Sequence, residues 1–346
     1  MSSRNKVEAN TKIFQRLDEY CVRREEPITN AGRARWVETS ARLREFLVDA
    51  RLVCLIDLSP SLKIARFDHK DKSYFATAGF DIPDVPQELQ EEEVGGGELT
   101  AILSEMQLRP IAKPIEIRQI IEFADDRLEG YKGHDPISVA TLFPPIKMFS
   151  SEKLEEDESS NVFLLLCLSD RRRSENWMEE GLATALHNLA KISATAIPYE
   201  VLCRAVLDFD PAVLFLALYR SLEALYSRDK MLALIEDLKV SVTWVDLAVK
   251  LEAHLAWYPR EEPSLEALFQ FAKEEDALAI TQTLGIALNA DSKTSAVAAR
   301  GVYTLRNALV HYRPFHRSFP FRVTDWNRLC EAMISIAIDL YGLNPK

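Results

Sequence analysis

The sequence predicts an α+β protein, in which a mixed α/β domain over residues 1–200 is followed by an all-α helical bundle over residues 201–346. Hydrophobic residues make up 47% and charged residues 27% of the 346 residues, which is typical of a globular chain and excludes a disordered polymer. Glycine contributes only 11 residues, which favours helices over a turn-rich β-sandwich. From about Ile197 onward, apolar residues recur at three- and four-residue spacing, as in amphipathic helices.

The N-terminal domain is predicted to combine a helix with short strands. Asn30 is positioned to cap a helix that runs through Trp36, Leu43 and Leu47. Segments that are apolar or rich in β-formers, and bounded by polar turns, predict strands at 52–56, 64–67, 73–77 and 162–168.

Two acidic runs interrupt this domain. They cover residues 87–93, followed by the glycines 95–97, and residues 151–158. Because solvation of so many carboxylates outweighs their burial, both runs are predicted to be exposed loops or frayed helix ends. The alternative is an acidic surface that binds a partner.

The C-terminal bundle is predicted to contain long helices. Pro211 suits the first turn of a helix that continues through Leu225. Further helices are predicted from Ser241 to about Trp257, where the polar loop 259–263 ends it, then at 264–284, from near Ser292 to before Pro314, and from Thr324 through Leu340.

Charge and composition exclude several function classes. The net charge of −11 is inconsistent with a general polyanion-binding surface, so any basic site must be local. The sequence shows neither a signal peptide nor a 20-residue apolar run, which predicts a cytoplasmic protein without membrane contact. The five cysteines form no close pair, and no phosphate-binding loop or metal motif occurs, so neither a cofactor nor a metal is expected. His69, His134, His187 and His254 have no partner at ligand spacing and are interpreted as structural or surface residues.

The helix that ends before Pro314 has two unlike faces. Its core-facing stripe is predicted to consist of Ala298, Val302, Leu305 and Leu309. On the opposite side Asn307 and His311 are one turn apart, Arg300 lies two turns below Asn307, and Arg306 is on the flank.

This helix also begins a basic segment. Residues 300–328 contain six arginines, no lysine and a single acid, Asp325, with Tyr303, Tyr312, Phe315 and Phe319 interleaved. Arginine binds phosphate in a bidentate manner and aromatic rings stack on unpaired bases, so the combination suits single-stranded RNA. The alternative is that the arginines pair with the acidic N-terminal domain while the aromatic residues fill the core.

Arg306-Asn307 followed by His311, late in a helical bundle, resembles the motif of HEPN domains, in which four to six residues separate Arg and His. An earlier helix, residues 216–226, is similar to the first helix of many HEPN bundles, which carries a Glu; here that residue is Glu223. The resemblance covers roughly residues 205–343 and does not extend to residues 1–200.

The resemblance implies a metal-independent endoribonuclease of a toxin–antitoxin, phage-defence or RNA-processing system, acting as a homodimer in which two motif helices form one site. An antitoxin or an activating partner is also implied. RNA supplies its own 2′-OH nucleophile, so the protein need only move protons and stabilise the phosphorane. His311 is expected to act as general acid or base, Arg306 to hold the scissile phosphate, and Asn307 to orient the imidazole or bind the phosphate.

Supporting roles in RNA binding are assigned to Arg300, Tyr303, Tyr312, Arg313, His316 and Arg317. Glu223 either pairs with Arg306 or forms an i,i+3 pair with Arg220 or Tyr226 on its own helix. His311 has a structural alternative as a cation at a helix C-terminus. Two other functions remain open: a catalytically inactive HEPN module that binds RNA or a protein, and a structural adaptor without RNA contact.

Overall fold

The computed structural model divides into two compact units. The first comprises Met1–Ser159 with Ser169–Arg171, and the second comprises Ser160–Leu168 with Arg172–Lys346. The second unit thus begins at Ser160, whereas the sequence pattern places the domain boundary at residue 200. The structure describes residues 4–29, 33–40, 43–123, 131–155, 158–192, 194, 196–311 and 323–342.

The first unit is an antiparallel sheet with helices, in the strand order β1-β2-β3-β5-β4. Its strands are β1 (Arg51–Ser59), β2 (Leu62–His69), β3 (Lys72–Ala78), β4 (Gln90–Glu92) and β5 (Ile146–Glu152). Its helices are α1 (Lys6–Val22), α2 (Leu43–Asp49), α3 (Gly96–Met106), α4 (Pro114–Phe123) and α5 (Pro136–Ala140).

The strands predicted at 52–56, 64–67 and 73–77 are confirmed as the centres of β1, β2 and β3. β2 lies between β1 and β3, and its residues 63–67 are buried without a break although Lys63 and Arg66 are charged. Helix α1 is capped by Asn5, whose side chain accepts a hydrogen bond from the Val7 amide at 2.9 Å.

Two features of the first unit differ from the sequence prediction. The predicted helix through Trp36 begins only at Leu43, because the Val37 segment pairs with His134 in a parallel bridge: the His134 amide donates to the Trp36 carbonyl at 2.8 Å. Asn30, its predicted cap, lies outside the described residues. The first acidic run contains the edge strand β4. Gly96 and Gly97 are buried in α3, where a Cβ on Gly96 would strike the backbone of Glu38 and a Cβ on Gly97 the backbone of Leu43.

The predicted strand at 162–168 is wrong, because these residues belong to helix α6 (Ser159–Leu168). Phe163, Leu164, Leu166 and Leu168 are all almost fully buried. A helix buried on every side has no polar face, so its apolar run has the same appearance as that of a central strand.

The second unit is helical throughout its described residues. The helices that follow α6 are α7 (Arg171–Ser174), α8 (Glu180–Leu189), α9 (Tyr199–Val206), α10 (Pro211–Glu223), α11 (Arg228–Leu238), α12 (Trp244–Leu255), α13 (Glu261–Phe269), α14 (Glu274–Thr283), α15 (Thr294–Val310) and α16 (Trp326–Gly342). Pro211 is the first residue of α10, as predicted, and the Asp210 carboxylate caps this helix by accepting from the Ala212 amide at 2.9 Å.

The predicted helix at 264–284 is two helices, and its start lies in the segment predicted as a loop. The break at 270–273 follows from the acidic residues at 274–276, which favour the N-terminus of a new helix. Pro263 falls in the first turn of α13, where proline is tolerated, so it does not end a helix there. Helix α11 was not predicted.

Helix α15 packs against α13 and α14. At Gly301 the approach to the segment after α14 leaves no room for a side chain: a Cβ there would lie 2.6 Å from the Ile286 Cδ1 atom and 2.9 Å from the Leu284 Cδ1 atom. Within the described residues, no helix is both long and apolar enough to cross a bilayer.

Candidate functional site

Helix α15 presents its predicted stripe to the core. Ala298, Val302 and Leu305 are fully buried, as expected. Leu309 is only half-buried, and the next residue, Val310, is 50% exposed, because the helix leaves the core in its last turn. The residues of the Arg–Asn–His motif therefore lie where α15 meets the surface of its unit.

Arg306 lies between two carboxylates from different helices. Its Nη2 atom is 3.4 Å from Glu223 Oε1 on α10, and its Nη1 atom is 3.3 Å from Glu261 Oε2 on α13. The same Nη1 donates to Asn307 Oδ1 at 2.9 Å. The side chain of Arg306 is only 18% exposed, so these contacts fix the direction of the guanidinium.

Of the two alternatives for Glu223, the structure has the contact with Arg306. Glu223 is the last residue of α10, and its side chain is 30% exposed. Burial raises the pKa of this carboxyl, and the neighbouring Arg306 opposes that shift. The pair is thus a partly desolvated ion pair, which orients Arg306 more strongly than a fully exposed pair would.

A pair of tyrosines supports Arg306 from the core side. The Arg306 Cζ atom lies 5.5 Å from the ring centroid of Tyr219, within the range of a cation–π contact. Tyr226 donates its hydroxyl hydrogen to the Tyr219 hydroxyl at 3.0 Å, and burial raises the pKa of Tyr219 to about 12. Both phenols are therefore neutral at physiological pH, and the Tyr219 ring is the packing surface for the guanidinium.

His311 stands at the end of this helix as its C-cap residue, with φ −101° and ψ 100°. Its amide donates to the Asn307 carbonyl at 3.0 Å, and its side chain is exposed. Among the described residues no hydrogen-bond partner is found for its imidazole. The ring is thus accessible to a substrate, but it does not contact Arg306 within the chain.

The other described arginine of the basic segment on α15 is also paired within its own unit. Arg300 Nε lies 3.8 Å from Glu262 Oε1, and both side chains are well exposed. The sequence had suggested a positively charged polar face. In the structure, the charges of Arg300 and Arg306 on this face are instead matched by the glutamates of α13. Glu261 and Glu262 were missed because residues 259–263 were interpreted as a loop.

The remaining predicted contacts are less defined. Tyr303 is half-buried on α15. Four further residues assigned to RNA binding lie outside the described residues: Tyr312, Arg313, His316 and Arg317.

An anion can bind Arg306 only if one of its two carboxylate partners, Glu223 or Glu261, moves away from the guanidinium. Glu261 is 40% exposed, more than Glu223, so it is the partner that an incoming phosphate would displace at the lower cost. A phosphate bound there would keep Glu223 as the orienting group, with Asn307 beside it as a neutral donor.

Comparison with family models, with curated proteins and with solved structures finds no match to this chain.

Proposed function

We propose that the second unit is a HEPN-type helical bundle that acts as a metal-independent endoribonuclease. The observation that carries the proposal is the pairing of an oriented arginine with an exposed histidine at one helix end. Arg306 is held by Glu223 across the bundle, and His311 lies five residues later at the C-cap of the same helix. Phosphate binding and proton transfer are the two tasks that RNA cleavage asks of a protein.

In the proposed reaction, the 2′-OH of one nucleotide attacks the adjacent phosphorus atom, and the 5′-oxygen of the next nucleotide leaves. The products are a 2′,3′-cyclic phosphate and a 5′-hydroxyl. His311 would remove the 2′-OH proton or donate one to the leaving oxygen, since an imidazole titrates near physiological pH. Arg306 would neutralise the non-bridging phosphate oxygens, and Asn307 would contact the same phosphate.

The proposed active form is a homodimer. On a regular helix Arg306 and His311 are about 140° apart, so one copy of α15 does not direct both groups at one phosphate. A two-fold axis beside the exposed Val310 would bring both residues from each copy around one groove. The biological setting, toxin–antitoxin or antiviral defence with an antitoxin or activating partner, is proposed from the resemblance alone.

A second candidate function is an inactive module that binds RNA or a protein partner. The specific observation in its favour is that Arg306 is already neutralised by Glu223 and Glu261. An arginine so engaged can serve the fold alone, in which case RNA or a protein partner would bind without a scissile phosphate at Arg306.

The decisive experiment is incubation of the purified full chain with total RNA in EDTA, followed by chemical analysis of the new ends. The endoribonuclease is expected to give 2′,3′-cyclic phosphate and 5′-hydroxyl termini under these conditions. Salt-dependent binding without new ends would support the inactive module, because release of counterions from phosphates gives a steep salt dependence. The absence of both cleavage and RNA binding would contradict the endoribonuclease and the RNA-binding module, and would leave a module that binds a protein partner.

A further inference from the structure

We propose that Glu45, Asp49 and His69 form a binding site for one divalent transition-metal cation in the first unit. One ligand atom from each of the three side chains lies within 4.8 Å of the others. This proposal concerns a different unit from the nuclease and does not depend on it.

The fold brings these residues together from two elements. Glu45 and Asp49 are four residues apart on α2, so their carboxylates project from the same helix face. His69 is the last residue of β2, where the chain turns into β3. The sequence separation between helix and strand explains why His69 shows no ligand spacing in the sequence.

The His69 ring is held in place by aromatic contacts. Its centroid lies 5.3 Å from that of Phe46, in an edge-to-face contact, and 6.3 Å from that of Tyr74. Phe46 also contacts Tyr74 at 5.1 Å, so the three rings form one packed cluster. A ligand whose ring is fixed by packing loses little conformational entropy when it binds a metal.

One nitrogen of the His69 imidazole is available to bind a metal. The Nε2 atom is buried and has no hydrogen-bond partner among the described residues. A buried nitrogen without a partner is unfavourable in the empty site and is compensated by a bond to a metal.

The donor set determines the class of cation. One imidazole with two carboxylates suits first-row ions such as Zn²⁺, Co²⁺ and Mn²⁺, whereas Ca²⁺ and Mg²⁺ prefer oxygen ligands alone. Three protein ligands leave coordination positions for water or for a small anion. The site would tie α2 to the turn between β2 and β3.

Lys70 is the group that competes with the metal. Its Nζ atom lies 2.8 Å from Glu45 Oε2, and the side chains are 60% and 50% exposed. A pair this exposed contributes little free energy, so a doubly charged ion with three ligands is expected to displace it.

The test is a titration of the full chain with CoCl₂, using calorimetry and visible absorption, followed by the same titration with ZnCl₂. One site per chain is expected. Asp49→Asn should weaken affinity by at least about 10-fold, since even outer-shell changes cost 10- to 100-fold. Glu236→Gln, which changes an exposed helical carboxylate in the other unit, is the matched control and should leave affinity unchanged.

Lys70→Ala gives an effect of opposite sign. Removal of the competing ammonium should tighten Co²⁺ binding by several-fold, whereas a simple acidic patch with a lysine counter-ion would show no saturable site in either protein. Equal affinity and stoichiometry in wild type and Asp49→Asn would overturn the proposal. So would a wild-type protein that takes up no Co²⁺ at millimolar concentration.

Discussion

His311 is the most exposed residue of the proposed active site. Loss of its side chain should therefore affect the stability of the fold less than loss of Arg306 or Asn307. His311 caps α15 through its backbone, and its side chain is exposed. We expect His311→Ala to abolish RNA cleavage with an unchanged melting temperature, since only the proton-transfer group is lost. His254→Ala, an exposed histidine on α12, is the control and should cleave as wild type. Normal cleavage by His311→Ala would remove this residue from the mechanism.

A second histidine, His134, should make the first unit sensitive to acid. It is 2% exposed, its ring packs 5.0 Å from Phe14, and burial lowers its pKa from 6.5 to about 4. Between pH 6.5 and 4 the unfolded chain binds a proton that the folded chain does not, so stability is complete above pH 6.5 and decreases toward pH 4. The loss from this group is up to about 3 kcal/mol.

Urea denaturation at pH 7 and pH 4.5 measures this dependence. His134→Gln should have a smaller difference in unfolding free energy between the two pH values than wild type, whatever its stability at pH 7. If the difference in unfolding free energy between the two pH values is as large in His134→Gln as in wild type, the acid sensitivity arises from other groups. The sequence interpretation of His134 as a structural or surface residue left its burial open, and it did not indicate the bridge to Val37.

At the scale of elements, the contact between α13 and α15 controls access to Arg306. Glu261→Gln removes the more exposed of its two carboxylates and leaves Glu223 in place. We expect single-stranded RNA to bind up to about fivefold more tightly, since an ion pair of this exposure contributes at most about 1 kcal/mol. The measurement is fluorescence anisotropy with labelled RNA at fixed salt. Glu266→Gln, also on α13, is the control; weaker binding by Glu261→Gln alone would show that Glu261 positions Arg306 instead of competing for it.

The most deeply buried charge of strand β2 is Arg66. Arg66 is 1% exposed and donates from Nε to Asp68 Oδ1 at 2.9 Å and from Nη1 to Ser159 Oγ at 2.7 Å. Arg66→Ala should lower the free energy of unfolding of the first unit by about 3 kcal/mol or more, because these partners lose their buried donor. Lys72→Ala removes a more exposed pair with Glu92 and should cost less than about 1 kcal/mol. Urea denaturation measures both losses of unfolding free energy. Similar values for Arg66→Ala and Lys72→Ala would contradict a special role for Arg66.

Elements with a distinctive pattern or clear polar boundaries were predictable from the sequence. β1 to β3 are short apolar or β-rich segments between polar turns, α10 and α15 repeat apolar residues at helical spacing, and each was placed within a few residues. α6 failed because it is apolar on all sides. Within the candidate site, the contact of Glu223 with Arg306 was one of the stated alternatives, whereas Glu261 required knowledge of where α13 begins.

At the scale of the whole molecule, the net charge is −11, and the arginines of α15 find their carboxylate partners within the second unit. Arg300 and Arg306 are each matched by a carboxylate on α13, so pairing with the acidic N-terminal domain is not needed for these two residues. In the proposed reaction, a substrate phosphate would therefore compete with nearby carboxylates. We therefore expect the affinity for RNA to be highest at low ionic strength and to fall steeply as the salt concentration rises.

Assembly is the property of the whole molecule that most directly tests the proposed active site. Val310 is 50% exposed beside His311, and an isologous dimer centred there would bury it. Val310→Glu should place a charge at the two-fold axis, shift the protein from dimer to monomer and abolish cleavage, because a buried unpaired charge costs several kcal/mol. Val22→Glu changes a valine on α1 that is 57% exposed; it is the control and should remain dimeric and active. Light scattering with a cleavage assay measures both properties, and a wild-type protein that is monomeric at micromolar concentration yet cleaves RNA would show that one copy of α15 suffices.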